Sequence, residues 1–88
     1  MPKRSTWFVY IVQCGDGSLY TGITTHLAKR LRSHAIGRGS AYVRSKRLSG
    51  VVYVERRMNR STATRREWEI KSLTREEKLS LIVGQHHT

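Results

Sequence analysis

The sequence predicts an α/β fold of the α+β type, a three-stranded sheet that starts with a β-hairpin and is flanked by about three helices, in the order β-β-α-β-α-α. Two aromatic and β-branched runs flank an Asp-Gly turn, a third such run follows later, and apolar residues at helical spacing occupy the segments between and after them. Because 88 residues are enough for one domain, we expect a single domain over 1–88, with its core at about 7–82.

The first two strands, over 7–12 and 19–23, are predicted to form the hairpin, with its turn at the Asp-Gly pair. With a three-residue loop, Tyr10 pairs with Gly22, and Tyr20 then lies diagonally from Tyr10 on the same face of the sheet. A two- or four-residue loop would put the two tyrosines on opposite faces. The alternative interpretation is that both are ordinary core or cross-strand aromatics.

The remaining elements follow from capping residues and from the spacing of apolar residues. In chain order they are a helix over 26–35 that Thr24 or Thr25 caps, a mostly irregular segment over 36–50, a strand over 51–54, a helix from Ser61 or Thr62 to about Leu73, and a last helix from Thr74 to about Val83. The continuous apolar run of the third strand is typical of a strand covered on both faces. A capping box, Thr74 to Glu77, predicts the start of the last helix, and residues 84–88 are expected to fray.

The charge balance indicates a polyanionic partner. The chain has 17 Lys and Arg against 6 Asp and Glu, which gives a net charge of +11. Lysine and arginine bind nucleic acids by releasing the counterions condensed on the phosphates, so we expect DNA as the partner, with RNA as the alternative. The segment after the first helix has the residues to follow a phosphate backbone and to stack on a base, and it is the predicted nucleic-acid-binding region: Arg38, Tyr42, Arg44, Lys46 and Arg47.

Composition also excludes several classes of protein. Cys14 is the single cysteine, so neither an internal disulfide nor a cysteine-based zinc site can form. The first residues lead into a strand-like run, so we expect no secretory leader, and the sequence has no apolar run long enough to span a membrane. We therefore expect a cytoplasmic protein with no membrane association and no organic cofactor.

Two helices present candidate catalytic side chains. Arg30 and His34 are four residues apart and share one helix face, where an arginine can bind a phosphate and a histidine can transfer a proton. On a basic protein such a pair is more often a solvated surface. In the next helix, Glu67 shares the apolar face with Ala63 and Ile70. A carboxylate there needs a cation, which is either a metal ion or a structural partner such as Arg30.

These residues resemble a known family. Val9-Tyr10 followed by Tyr20-Thr21-Gly22 is similar to the paired motifs of the GIY-YIG nuclease superfamily, with Gly22 as the motif glycine. Arg30 falls where that family keeps a helix arginine, His34 where members have a His or Tyr, and Glu67 where they have the metal-binding glutamate. The resemblance extends from Trp7 to about Ile82 and is strongest to the small, stand-alone bacterial-type branch.

The resemblance implies hydrolysis of phosphodiester bonds with one divalent cation. Glu67 would hold Mg²⁺ or Mn²⁺, Arg30 would neutralise charge on the phosphate, and His34 would contact the phosphate or assist proton transfer. A tyrosine would be the general base, with positive charge nearby lowering the pKa of its phenol. Tyr20 is the first choice for this role and Tyr10 the orienting partner, and the sequence leaves the assignment of the two open. Three motif positions depart from the family, because Phe8-Val9 replaces the Gly-Ile of the first motif and Thr21 replaces the Ile of the second. The Asn of some members has no counterpart.

The implied function is a DNA endonuclease that acts on repair or recombination structures. The alternative is a basic nucleic-acid-binding module that retains the fold without cleaving. A third interpretation is a structural or partner-binding domain whose nuclease activity appears only when another protein supplies specificity. A homodimer or an accessory protein for targeting is the expected partner, because the second domain that selects DNA in other members is not seen here.

Overall fold

A computed structural model describes residues 6–35 and 48–85, with the backbone alone at 33–35 and 48–49. Within this part of the chain the order β-β-α-β-α-α is confirmed. The elements are β1 (Trp7–Cys14), β2 (Leu19–Thr24), α1 (Leu27–Ala35), β3 (Leu48–Arg57), α2 (Arg60–Lys71) and α3 (Arg75–Gln85). The described helices are too short and too polar to cross a bilayer.

The hairpin has the predicted register. The backbone N–H of Cys14 donates to the carbonyl of Ser18 at 2.8 Å, which leaves a three-residue loop between them. Gly17 ends that loop with φ of +88°, a conformation that glycine adopts without steric cost. Tyr10 consequently pairs with Gly22, and the two motif tyrosines share one face of the sheet.

β1 is the central strand, and the sheet is antiparallel in the order β2-β1-β3. Consecutive β1 residues are buried because both faces of this strand are covered. Val9 and Ile11 form the main core with Tyr53 of β3 and with Ala63 and Ile70 of α2. This packing gives α2 a defined position against the hairpin that bears the motif tyrosines.

The prediction that the third strand is covered on both faces was wrong. β3 is an edge strand, and Val51 remains 43% exposed. Pairing with β1 shifts between Ile11 and Val12, whose partners are Tyr53 and Val51, so Val52 is an extra residue in a β-bulge. The bulge, and not coverage of both faces, explains the continuous apolar run. The strand is also longer than predicted and begins at Leu48.

The helix boundaries are partly as predicted. Thr74 and Glu77 form the expected capping box, with the Glu77 carboxylate accepting from the Thr74 N–H at 2.8 Å and the Thr74 hydroxyl accepting from the Glu77 N–H at 3.1 Å. The cap of α2 is Asn59, not Ser61 or Thr62, and its side chain accepts from the Thr62 N–H at 2.9 Å.

α1 and α3 differ from the prediction at one end each. α1 begins at Leu27 and not at the predicted His26, because the His26 carbonyl receives the first helical hydrogen bond, from Arg30. The Thr24 hydroxyl accepts from the His26 N–H in the turn before the helix. α3 continues to Gln85 although fraying was expected from residue 84. The reason is tertiary, because the Gln85 amide bonds to both the N–H and the carbonyl of Val54 on the edge strand.

Candidate active site

The hydroxyl of Tyr10 is the point on which the candidate site converges. Its ring lies directly over Gly22, and a Cβ at that glycine would be 2.6 Å from the Tyr10 hydroxyl oxygen and 2.7 Å from Cζ. Any side chain at position 22 would displace the ring. The motif glycine is therefore required for space, since it lets the phenol of the central strand extend across β2.

Three other candidate residues, from three different elements, act on this hydroxyl. Arg30 of α1 hydrogen-bonds to it, and Tyr20 of β2 and Glu67 of α2 are within electrostatic reach. The pKa of Tyr10 is raised to about 12, chiefly by burial and also by Tyr20 and Glu67, while the charge and hydrogen bond of Arg30 act in the opposite direction. The lowered phenol pKa that the family resemblance implied thus does not occur at Tyr10. Tyr20 is half-buried and Arg30 is exposed, so both are accessible from solvent.

Glu67 lies at the border between the core and the surface. Its side chain is 21% exposed, and its carboxylate is 3.4 Å from the ammonium group of Lys71, one helical turn further on. Among the described residues its ion-pair partner is this half-exposed lysine, whereas Arg30 is engaged with Tyr10. A long i,i+4 pair of this kind contributes little to stability. The carboxylate is thus available to a stronger ligand.

The donor set fits one hard cation with a largely aqueous shell. Across residues 6–35 and 48–85, no three His, Cys, Asp or Glu side chains are grouped as ligands. A magnesium ion commonly binds proteins through one or two carboxylates and keeps several waters, with substrate phosphates as further ligands. The partly exposed carboxylate of Glu67 matches this mode and does not match a site composed entirely of protein ligands.

Several predicted residues cannot be compared with this geometry. The backbone of His34 belongs to α1, but its side chain is outside the described part of the chain. The same holds for the whole predicted nucleic-acid-binding segment: Arg38, Tyr42, Arg44, Lys46 and Arg47. Their roles stay predictions.

Sequence reasoning missed a second charged cluster, which links β3 to α2. The Glu55 carboxylate is 2.6 Å from Arg57 and 2.9 Å from Arg66, and it also accepts from the Tyr53 hydroxyl. Burial disfavours the Glu55 anion, but hydrogen bonds from Arg66 and Tyr53 hold its pKa below the ordinary value. The run of Glu55 followed by two arginines in β3 was visible in the sequence, whereas the partner on α2 was not.

The fold is a small α+β domain whose hairpin and first two helices bring the motif residues together. The GIY-YIG catalytic domain model matches residues 6–80, and the chain belongs to this nuclease family. It is 49% identical over 80 residues to a UPF0213 protein of Desulfotalea psychrophila, an alignment that covers 90% of this chain and 73% of that protein. A UPF0213 protein of Staphylococcus haemolyticus is 45% identical over 75 residues, or 85% of this chain and 92% of that one.

A solved structure shows the same similarity. The solution NMR structure of a UPF0213 protein from Bacillus halodurans has 38% sequence identity and a TM-score of 0.54, and the match covers 89% of this chain and 83% of that one. At this identity and coverage, the relative has the same fold over nearly the whole domain.

Proposed function

We propose that the protein is a divalent-metal-dependent endonuclease that hydrolyses phosphodiester bonds in DNA. The observation that supports it most is that three side chains from separate elements surround the buried hydroxyl of Tyr10. They are Tyr20, Arg30 and Glu67. A domain that only binds nucleic acid has no need for a carboxylate beside a buried phenol, because that carboxylate repels phosphate. The net charge of +11 supplies the attraction for the polyanionic substrate.

Glu67 would hold the metal ion, Mg²⁺ or Mn²⁺. When bound, the ion supplies Lewis-acid activation of the scissile phosphate and charge stabilisation of the leaving oxygen. Lys71 would release the carboxylate without much cost, since the present contact is 3.4 Å long and the lysine is 53% exposed.

Arg30 would bind the scissile phosphate. Its hydrogen bond to Tyr10 orients the guanidinium group, which still presents further N–H donors to the exposed side of α1. A guanidinium oriented before the substrate arrives neutralises the negative charge that develops on the phosphoryl oxygens. Tyr10 is thus a positioning residue in this scheme.

Tyr20 would remove the proton from the attacking water. A phenol whose pKa is about 12, as for Tyr10, is almost entirely protonated at neutral pH and is a poor acceptor. Tyr20 is half-buried and lies diagonally across from Tyr10, where water can reach it. We further propose that the protein acts in the cytoplasm on branched or flapped DNA that arises in repair or recombination. A second copy of the chain or another protein would assist in targeting.

The test is cleavage of labelled branched, flapped and plain duplex DNA with Mg²⁺, Mn²⁺ or a chelator. Glu67→Gln is expected to lower metal-dependent cleavage by at least about a hundredfold, since several kcal/mol of stabilisation from the metal is lost. Affinity for DNA, measured by fluorescence anisotropy at several salt concentrations, is expected to stay close to wild type.

Glu69→Gln is the matched control. Glu69 belongs to the same helix, but its side chain is 49% exposed and pairs with Arg66. We expect this variant to cleave as wild type does. If Glu67→Gln and Glu69→Gln behave alike, Glu67 is not the metal ligand. If no substrate is cleaved while salt-dependent binding persists, the non-catalytic binding module is the correct interpretation.

A further inference from the structure

A cavity beside the candidate active site is lined in part by Arg30, which belongs to both. Its volume is about 260 Å³, and it lies where β1 begins and where β2 passes into α1. Its walls include the half-buried indole of Trp7, the exposed side chains of His26 and Lys29, and Arg30 itself. None of these residues except Arg30 belongs to the proposed catalytic set.

The local fold makes this cavity a defined structure. The Thr24 hydroxyl accepts from the His26 N–H at 3.0 Å, which fixes the turn into α1. The Thr25 hydroxyl is 2.9 Å from Nδ1 of His26 and so orients the imidazole ring. Trp7 is held from the other side because it packs against the core.

The charge of the lining distinguishes this cavity from another basic one. A cavity of about 400 Å³ near the start of α2 is lined by arginines, but Glu69 also lines it, and Arg57 and Arg66 already pair with Glu55. In the cavity beside Arg30, by contrast, no carboxylate occurs among the lining residues that the structure describes. Its cations are therefore better placed to bind an anion.

We infer that this cavity is a subsite for the nucleotide next to the scissile phosphate. Its phosphate would bind Lys29 and His26, with Arg30 between this phosphate and the scissile one, and its base would lie against the Trp7 indole. Aromatic stacking and cationic contacts are the two elements of recognition for single-stranded nucleic acid. The inference rests on the proposed function in that Arg30 serves both sites, and it implies that the strand is locally unpaired here.

The test uses tryptophan fluorescence and a short ligand without metal. Trp68 is 69% exposed on α2, so Trp68→Phe leaves Trp7 as the single tryptophan with little effect on stability. Titration of this variant with the 5′-phosphorylated dinucleotide of thymidine is expected to quench Trp7. The reciprocal variant, Trp7→Phe, reports on Trp68 and is expected to show no quenching.

Lys29→Ala in the Trp68→Phe background is expected to weaken dinucleotide binding about tenfold, the effect of one lost charged hydrogen bond. Lys78→Ala removes a cation from α3, away from the cavity, and is expected to leave the affinity unchanged. No quenching of Trp7, or equal weakening by the two lysine variants, would overturn the inference. Competition by inorganic phosphate or by unphosphorylated thymidine as strong as that by the dinucleotide would also overturn it.

This outcome is independent of cleavage. Dinucleotide binding by a protein that cuts no DNA would retain the subsite and reject the endonuclease. Cleavage by a protein whose Trp7 does not respond would retain the endonuclease and reject the subsite.

Discussion

Tyr10 illustrates how burial changes the ionisation of a side chain. Its ring is fully buried over Gly22, and its pKa is about 12, so it remains a hydrogen-bonding phenol throughout the physiological pH range. The two motif tyrosines look equivalent in the sequence. Their environments differ, because one belongs to the central strand and the other to an edge strand.

Tyr20→Phe is therefore expected to lower the cleavage rate by about 10²–10⁴-fold, the usual contribution of a general base. Tyr10→Phe is expected to have a smaller effect, through the lost contact with Arg30. Single-turnover cleavage rates check both. A larger loss in Tyr10→Phe than in Tyr20→Phe would reverse the two assignments. The premise is checked by tyrosinate absorbance, where the titration near pH 12 should be missing in Tyr10→Phe.

Thr21 occupies the motif position where the family name has isoleucine. The side chain is 3% exposed, and its hydroxyl has no hydrogen-bond partner within the described residues. Its neighbour across the strands is Ile11 of the main core. A buried hydroxyl without a partner costs about 1–3 kcal/mol in desolvation.

Thr21→Val keeps the shape of the side chain and removes that hydroxyl, so the free energy of unfolding is expected to rise by about 1 kcal/mol. Thr24→Val is the matched control, since Thr24 is on the same strand and 5% exposed, but its hydroxyl accepts from the His26 N–H. We expect that variant to lose about 1 kcal/mol. Urea unfolding measures both, and destabilisation by Thr21→Val would show that its hydroxyl has a partner.

At the scale of elements, the end of α3 protects the edge of the sheet. The Gln85 side chain accepts from the Val54 N–H at 3.2 Å and donates to the Val54 carbonyl at 2.5 Å. Its amide thus replaces one residue of a neighbouring strand. Unpaired edges favour association between chains, so this contact both anchors α3 and covers an aggregation-prone edge.

Gln85→Ala is expected to lower the free energy of unfolding by about 1–2 kcal/mol, because two hydrogen bonds are lost. Gln85→Glu keeps the size but has no donor for the Val54 carbonyl, and we expect a loss of the same order. Thermal unfolding with light scattering would show a lower Tm and earlier aggregation for both. Wild-type behaviour of Gln85→Glu would indicate that the contact is not stabilising.

At the scale of the whole molecule, the Glu55 cluster joins α2 to the edge strand β3 of the sheet. The Glu55 and Arg66 side chains are 15% and 25% exposed, and their ion pair is 2.9 Å long. The pKa of Glu55 lies below its ordinary value of 4.5, despite the opposing effect of burial, because Arg66 and Tyr53 donate to the anion. A lowered folded-state pKa stabilises the fold above the unfolded value and stops doing so as pH falls through the folded value.

We therefore expect stability to fall as pH drops below 4.5, and this part of the acid dependence should disappear in Glu55→Gln. At neutral pH the same variant is expected to lose about 2 kcal/mol, because Arg66 loses its charged acceptor. Glu69→Gln, at the exposed end of the cluster, should change stability by less than about 0.5 kcal/mol. Urea unfolding across this pH range measures both, and an unchanged acid dependence in Glu55→Gln would refute the assignment.

The sequence by itself determined the features that depend on neighbouring residues. The Asp-Gly turn and its loop length set the register that pairs Tyr10 with Gly22, and the capping box starts α3 where expected. These interactions span few residues, so local backbone preferences specify them. The family could be inferred for the same reason, since its motifs lie on short local segments at recognisable spacing.

Only the tertiary structure decided how distant segments meet. Periodicity could not show that Val52 forms a bulge, that Gln85 pairs with Val54, or that Glu67 reaches the environment of Tyr10. Each depends on the relative placement of elements that are far apart in sequence, which core packing sets. The pKa of Tyr10 is raised for the same physical reason, because it follows from desolvation and neighbouring charge, and both are properties of the packed molecule.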